Sequence, residues 1–164
     1  MAYYQFKRIQ KIPTTVDEIW EFISSPSNLK TITPPYMGFD ITSDGLPDKM
    51  YEGMIISYKV SPLLGIKTTW VTEITKIKDR EFFIDEQRVG PYALWHHQHH
   101  IEEIKSGIKM TDIVSYSPPF GPLGALANTL IIKNKLKEIF DYRHQVLTDK
   151  YGEYTGVVKN LYGS

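Results

Sequence analysis

Four of the chain's five histidines fall in one run, Trp95-His96-His97-Gln98-His99-His100. Imidazole titrates near neutrality, donates and accepts hydrogen bonds and ligates metals, so the role of this run depends on which rings turn inward. A strand alternates its side chains between two faces. The dipeptide Ser106-Gly107 predicts a two-residue hairpin turn pairing Lys105 with Ile108; counting outward pairs Ile101 with Asp112, His99 with Val114, and His97 with Tyr116. One face then carries Trp95, His97, His99, Ile101, Met110, Asp112, Val114 and Tyr116. The other carries His96, Gln98, His100, Glu102, Lys109, Thr111 and Ser115, an almost wholly polar set that is expected to meet water. By elimination the first set faces the concave side.

Three chemistries fit a patch of two imidazoles, a carboxylate and a phenol among apolar groups. It can be a purely structural hydrogen-bond network. It can orient the polar end of an otherwise greasy ligand. Or it can be catalytic, with His97 or His99 as general acid or base, Asp112 fixing its tautomer and Tyr116 as a partner. His97 and His99, two apart on a strand, could also take two positions on zinc with Asp112 or another carboxylate as the third. Hydrogen-bonded histidines without metal are commoner, so neither a metal nor a cofactor is expected.

Arg143 shares a helical stripe with Leu136, Phe140 and Leu147. Snorkelling to the rim is the preferred reading, over an inward clamp on an anion or carboxylate. Trp70, on a segment alternating Ile66, Thr68, Trp70, Thr72 and Ile74, reads as wall, and so does Trp20. Asp85 and Gln87 share a face with Phe83, but the hairpin at Lys78-Asp79 does not fix whether that face is the concave one. The expected ligand-binding residues are therefore Trp70, Trp95, His97, His99, Asp112, Val114, Tyr116, Leu136, Phe140 and Arg143.

The elements that must hold these residues follow from periodicity and turn chemistry. Tyr3 to Ile12 reads as a strand closed by Pro13, and Thr15-Val16-Asp17-Glu18 as a capping box opening a short helix with Ile19, Trp20, Phe22 and Ile23 on one side. Pro26, in its first turn, opens a second short helix that runs through Leu29 to Ile32, which Thr33-Pro34-Pro35 stops. Six strands follow, near Phe39 to Thr42, Met50 to Val60, Ile66 to Ile77, Glu81 to Arg88, Tyr92 to Ile104 and Ile108 to Tyr116. Leu126, Leu130, Ile132, Leu136, Ile139, Phe140, Val146 and Leu147 then recur at helical spacing to about Lys150, and Gly152 ends the helix. This β-α-α-β6-α order is an α+β fold: a curved antiparallel sheet of about seven strands around a long C-terminal helix, with room for a pocket between them. Residues 1-150 form one domain and 151-164 a tail.

Composition narrows the function. The 164 residues carry 19 basic and 19 acidic side chains, which leaves no basic face for nucleic acid. The absence of cysteine excludes disulfides and thiolate chemistry and fits a reducing compartment, so a cytoplasmic protein is expected. The start is not a signal peptide, and Leu123 to Ile132 is far short of the roughly 20 apolar residues of a bilayer span, so no integral membrane association is expected. No nucleophile elbow, phosphate loop or dinucleotide glycine pattern occurs. The sequence does not set the oligomeric state.

Gly90-Pro91-Tyr92, Trp95-x-His97-x-His99, Asp112, Tyr116, Pro119-Phe120-Gly121-Pro122-Leu123-Gly124 and Phe140-x-Tyr142-Arg143-His144, with the element order, resemble the helix-grip fold of the START-like, or SRPBCC, superfamily. The resemblance covers Tyr3 to Lys150 and is most specific to its polyketide cyclase/dehydrase-like branch, some members of which precede an epimerase-like domain that this sequence lacks. It implies a hydrophobic cavity opening near Ser61 to Gly65 and Arg88 to Tyr92. The superfamily includes carriers, receptors and enzymes around one pocket. The preferred expectation is non-enzymatic ligand-binding or carriage of a small hydrophobic or amphipathic molecule (a lipid, isoprenoid or polyketide-like compound). A cyclase-, dehydratase- or hydrolase-type enzyme with a pocket histidine is the first alternative, and a protein-binding adaptor the second.

Overall fold

The structure is a computed structural model that describes residues 3–62 and 65–156. Residues 63 and 64 of the expected rim loop, and residues 157–164 of the expected tail, lie outside the described residues.

Strand β1 (Tyr4–Ile12) leads into helix α1 (Val16–Ile23), whose start is held by the capping box: Glu18 N–H donates to Thr15 Oγ1 and Thr15 N–H to Glu18 Oε2, each at 3.2 Å. The second helix is tighter than expected, a 3₁₀ turn at Pro26–Leu29 followed by another at Pro35–Met37. Successive prolines remove the amide donors a longer α-helix needs. Six strands follow: β2 (Asp40–Ile41), β3 (Ile55–Val60), β4 (Thr68–Lys78), β5 (Phe82–Val89), β6 (Leu94–Ile104) and β7 (Gly107–Ser117). They form one antiparallel sheet with β1, in the order β1-β7-β6-β5-β4-β3-β2. Strand β3 begins later than its hydrophobic pattern suggests, because Gly53 takes a left-handed conformation (φ 91°) and ends a turn there. Helix α2 (Gly121–Ala127), a π-helical turn (Asn128–Ile132) and α3 (Lys133–Tyr151) follow one another without a gap, and Gly152 stops the run. No helix among the described residues is long and apolar enough to cross a membrane.

The β6–β7 hairpin differs from the expected register by two residues. Its turn is Lys105-Ser106, with Ile104 opposite Gly107, so His99 faces Asp112, His97 faces Val114 and Trp95 faces Tyr116. Ser106 itself adopts the left-handed conformation (φ 67°). A shift of two preserves which side chains share a face, so the concave set stands while the partners change. Gly107 is needed for another reason: a Cβ there would lie 2.2 Å from the Ile12 carbonyl oxygen of β1. Gly107→Ala is expected to force the end of β1 away from β7 at a cost of about 1–3 kcal/mol, read as a lower urea midpoint with an unchanged m-value.

The inner face of the sheet buries two apolar clusters. At the α1 end Trp20, Ile56, Ile74, Phe83, Ile101, Ile108, Met110 and Leu147 pack together. At the other end Phe39, Val60, Trp70, Tyr92, Val114, Tyr116, Leu136 and Phe140 do so. The boundary between them is polar on four elements at once: Asp85 on β5, His97 and His99 on β6, Asp112 on β7 and Arg143 on α3.

Candidate ligand-binding site

The boundary residues form one connected group. Asp112 and both rings are almost completely buried. Asp112 Oδ1 accepts from His97 Nε2 at 2.9 Å and from Arg143 Nη1 at 3.1 Å, and lies 3.0 Å from His99 Nδ1. Asp85 Oδ2 accepts from His99 Nε2 at 2.8 Å and lies 3.4 Å from His97 Nδ1. The two rings are 3.7 Å apart at their centroids, with Phe83 stacked on His99 at 4.0 Å and Phe140 set edgewise to His97 at 5.6 Å. Cross-strand pairing sets this up, since Asp85 sits opposite His97 and Asp112 opposite His99.

Burial pulls both imidazoles toward the neutral form, and the outcome depends on what each ring faces. For His97, burial and the neighbouring His99 outweigh the carboxylates and bring its pKa down to about 4. For His99, burial is outweighed by its bonds to Asp112 and Asp85, and its pKa rises. Burial alone would raise both carboxyls. The imidazoles and Arg143 reverse this, holding Asp85 below and Asp112 well below the ordinary value. Two carboxylates are thus balanced by Arg143 and a protonated His99, with His97 neutral. A buried ionic group with that balance avoids the cost of an uncompensated charge.

Arg143 turns inward, its side chain 13% exposed, rather than snorkelling to the rim. The reason is Asp112, a buried carboxylate within reach on the facing strand. Asp85 joins the group although its face was left open by the sequence. The hairpin before it is a three-residue loop, Asp79 to Glu81, with Arg80 at φ 62°, and bulges interrupt the β4–β5 pairing. The three-residue loop alone would set Asp85 opposite Thr75; the irregularity between Ile74 and Lys76 moves it opposite Ile74, on the buried face. Tyr116 lies among the rings of Tyr4, Tyr92 and Trp95 at 5.7, 6.0 and 6.4 Å.

The room between sheet and helices is divided. A pocket of about 380 Å³ at the mouth is lined by Ile66, Thr68, Pro91, Pro118, Phe120, Leu123 and Ala127, with no charged group. A deeper one of about 110 Å³ is lined by Phe39, Tyr58, Trp70, Trp95, His97, Leu136, Phe140 and Arg143. Pro62 and Tyr92 belong to both walls. Of the expected lining residues, Trp70, Trp95, His97, Leu136, Phe140 and Arg143 border the deep pocket. His99 borders only a cavity of about 10 Å³ beside Phe83 and Leu147, and Asp112, Val114 and Tyr116 border none of the three.

Tyr92, named in the Gly90-Pro91-Tyr92 motif and at the rim but not among the expected ligand-binding residues, is held by a clamp. Gln87 Nε2 donates to the Tyr92 carbonyl at 2.7 Å and Tyr92 N–H donates to Gln87 Oε1 at 3.2 Å. Gly90 permits this, since a Cβ there would lie 2.3 Å from Gln87 Oε1. The signal was the aromatic residue directly after Gly90-Pro91. Two donors on the deep-pocket residues have no partner among the described residues: the Trp70 indole Nε1 and the Arg143 Nε. Asp85, His97 and His99 are also a set that could hold a metal ion, with one ligand atom from each within 4.8 Å of the others.

No family model matches the chain, and neither does any curated protein. Solved structures do. Protein CV1439 from Chromobacterium violaceum is similar at a TM-score of 0.67 with 10% identity, over 92% of this chain and 99% of that one. Ginseng major latex-like protein 151 from Panax ginseng is similar at 0.66 with 12% identity, over 91% and 97%. TTHA0849 from Thermus thermophilus is similar at 0.63 with 12% identity, over 90% and 99%. Likeness at this identity speaks for architecture, and with a seven-stranded antiparallel sheet gripping a long terminal helix it makes this a helix-grip fold.

Proposed function

We propose that the chain binds a small amphipathic molecule, its apolar body in the mouth pocket and its polar end beyond Tyr92, toward Trp70, His97 and Arg143. The observation that carries this reading is the succession of the two pockets: a mouth with no charged lining residue among those described, sharing Pro62 and Tyr92 with a deeper space bordered by His97 and Arg143. The mouth alone falls in the range of about 300–1,000 Å³ usual for small-molecule sites. The deep pocket has room for roughly three or four waters, so it suits a head group rather than a second apolar body. The fold, the resemblance to cyclase/dehydrase-like proteins and a domain spanning residues 1–150 accord with binding or carriage.

Catalysis by His97 is the second reading, since His97 alone of the histidine–aspartate group borders the deep pocket. A pKa near 4 counts against it, because a general base works best with a pKa near the operating pH.

The test is saturable binding of the fluorophore 8-anilinonaphthalene-1-sulfonate and its displacement by a panel of fatty acids, isoprenoid acids and aromatic polyketides. Leu123→Asp, at an exposed mouth position, is expected to weaken binding at least about tenfold, or 1.4 kcal/mol, while leaving the melting temperature unchanged. Absence of saturable binding, or equal affinity in Leu123→Asp and in the mouth-filling Ala127→Trp, refutes the reading.

A further inference from the structure

Asp112 does more than neutralise Arg143. One oxygen meets His97 Nε2 at 2.9 Å and His99 Nδ1 at 3.0 Å, so a single carboxylate fixes which nitrogen of each ring carries its hydrogen. The opposite nitrogens, His97 Nδ1 and His99 Nε2, are thereby left pointing to Asp85 Oδ2, at 3.4 and 2.8 Å. An ion bonded at about 2.0–2.1 Å to each ligand separates adjacent ligands by about 2.9 Å in an octahedron and about 3.4 Å in a tetrahedron. The two spacings to Asp85 fall at such edges, and one ligand atom from each of the three residues lies within 4.8 Å of the others. Asp112 occupies the place of the outer carboxylate that orients metal-bound histidines, and Arg143 steadies Asp112 in turn. Unfilled space flanks the trio, about 10 Å³ against His99 and about 110 Å³ against His97.

We infer that Asp85 Oδ2, His97 Nδ1 and His99 Nε2 form a binding site for a divalent transition ion of the zinc class, with Asp112 as the positioning residue for both imidazoles. Two nitrogens and one carboxylate suit zinc or cobalt better than calcium or magnesium, which prefer oxygen-only shells. The hydrogen now bridging Asp85 and His99 leaves when the ion enters. The site does not depend on the ligand reading above, because two of its three residues border neither of the larger pockets.

The competing sink for zinc is the outer face, where His96 and His100 flank Gln98, with Glu86 2.7 Å from His96 Nδ1. The metal-stripped chain should be titrated with zinc alone and then with cobalt, following heat and visible absorption. One equivalent of each is expected, with Asp85→Asn weakening it more than about tenfold and the double variant His96→Ala, His100→Ala leaving it unchanged. Nitrogen-15 spectra of the wild type provide a readout that requires no variant to fold: zinc should shift His97 Nδ1 and His99 Nε2 and leave the other nitrogen of each ring protonated. No stoichiometric binding, binding that survives Asp85→Asn but not loss of the outer histidines, or nitrogen shifts confined to His96 and His100 overturns the assignment.

Discussion

Asp112→Ala is expected to lower the stability of the fold by about 3–5 kcal/mol, the usual cost of removing one partner from a buried ionic group. The carboxylate is 2% exposed and is the only contact common to His97, His99 and Arg143 within that group. Without it a guanidinium and a cationic imidazole remain in the core with Asp85 as their one counter-charge. Native stabilities are about 5–15 kcal/mol, so this is a large share of the whole. The measurement is urea denaturation followed by tryptophan fluorescence. Asp112→Asn, which keeps the shape and one acceptor, should fall between the two. A loss below about 1 kcal/mol for the alanine variant would mean that the charges re-pair or hydrate, and that the group does not act as a unit.

Acid should destabilise the metal-free protein well before its carboxylates titrate. The folded pKa of His97, about 4, lies below the ordinary 6.5. In that window the unfolded chain takes up a proton that the folded ring refuses, so stability is retained above 6.5 and falls as pH drops toward 4. The slope approaches about 1.4 kcal/mol per pH unit, up to about 3 kcal/mol in all. His100, also lowered chiefly by burial, adds in the same direction. Asp85 and Asp112 contribute later, since a depressed folded pKa gives stability that is present above the unfolded value of 3.8 and lost as pH falls through the folded one. His99 has the opposite sign: its contribution is complete below 6.5 and lost as pH rises through its raised folded value. The stability maximum should therefore lie near neutrality. Urea midpoints between about pH 7 and about pH 4.5 check this, and His97→Gln should flatten the slope. An unchanged slope in that variant would assign the effect to another group.

The elements were legible in the sequence because their local signals agree. Thr15 and Glu18 state a helix start, the glycine and proline breaks separate the strands, and the 3.6-residue period returns only after Pro122. The inward face of β6 and β7 was legible for a different reason: parity survives a register error of two, so His97, His99 and Asp112 came out together although each was given the wrong partner. Asp85 could not be placed, because a loop length and a bulge between Ile74 and Lys76 together decide its face, and Arg80 adopts a left-handed conformation with no glycine to announce it. Arg143 was misjudged because a helical stripe shows that a guanidinium faces the sheet but not that a buried carboxylate waits there. The division of the cavity by Tyr92 depends on the Gln87 clamp, a contact between a strand side chain and a loop backbone that no periodicity encodes.

Under the proposed binding of an amphipathic molecule, the ionic seam between the two apolar clusters would set a limit on ligand length. A molecule sliding inward from the Pro118-to-Ala127 side passes uncharged walls, reaches Arg143 and His97, and stops, because going further means stripping paired charges of their partners. That stop is built from the pairing of β5, β6 and β7 against α3, whereas the surroundings of the opening are loops and a short helix. Insertions and exchanges around the opening can alter the breadth and shape of what is admitted without altering how deep it goes. Under that proposal, selectivity for width and selectivity for reach would reside in separate parts of the chain, each changeable without disturbing the other.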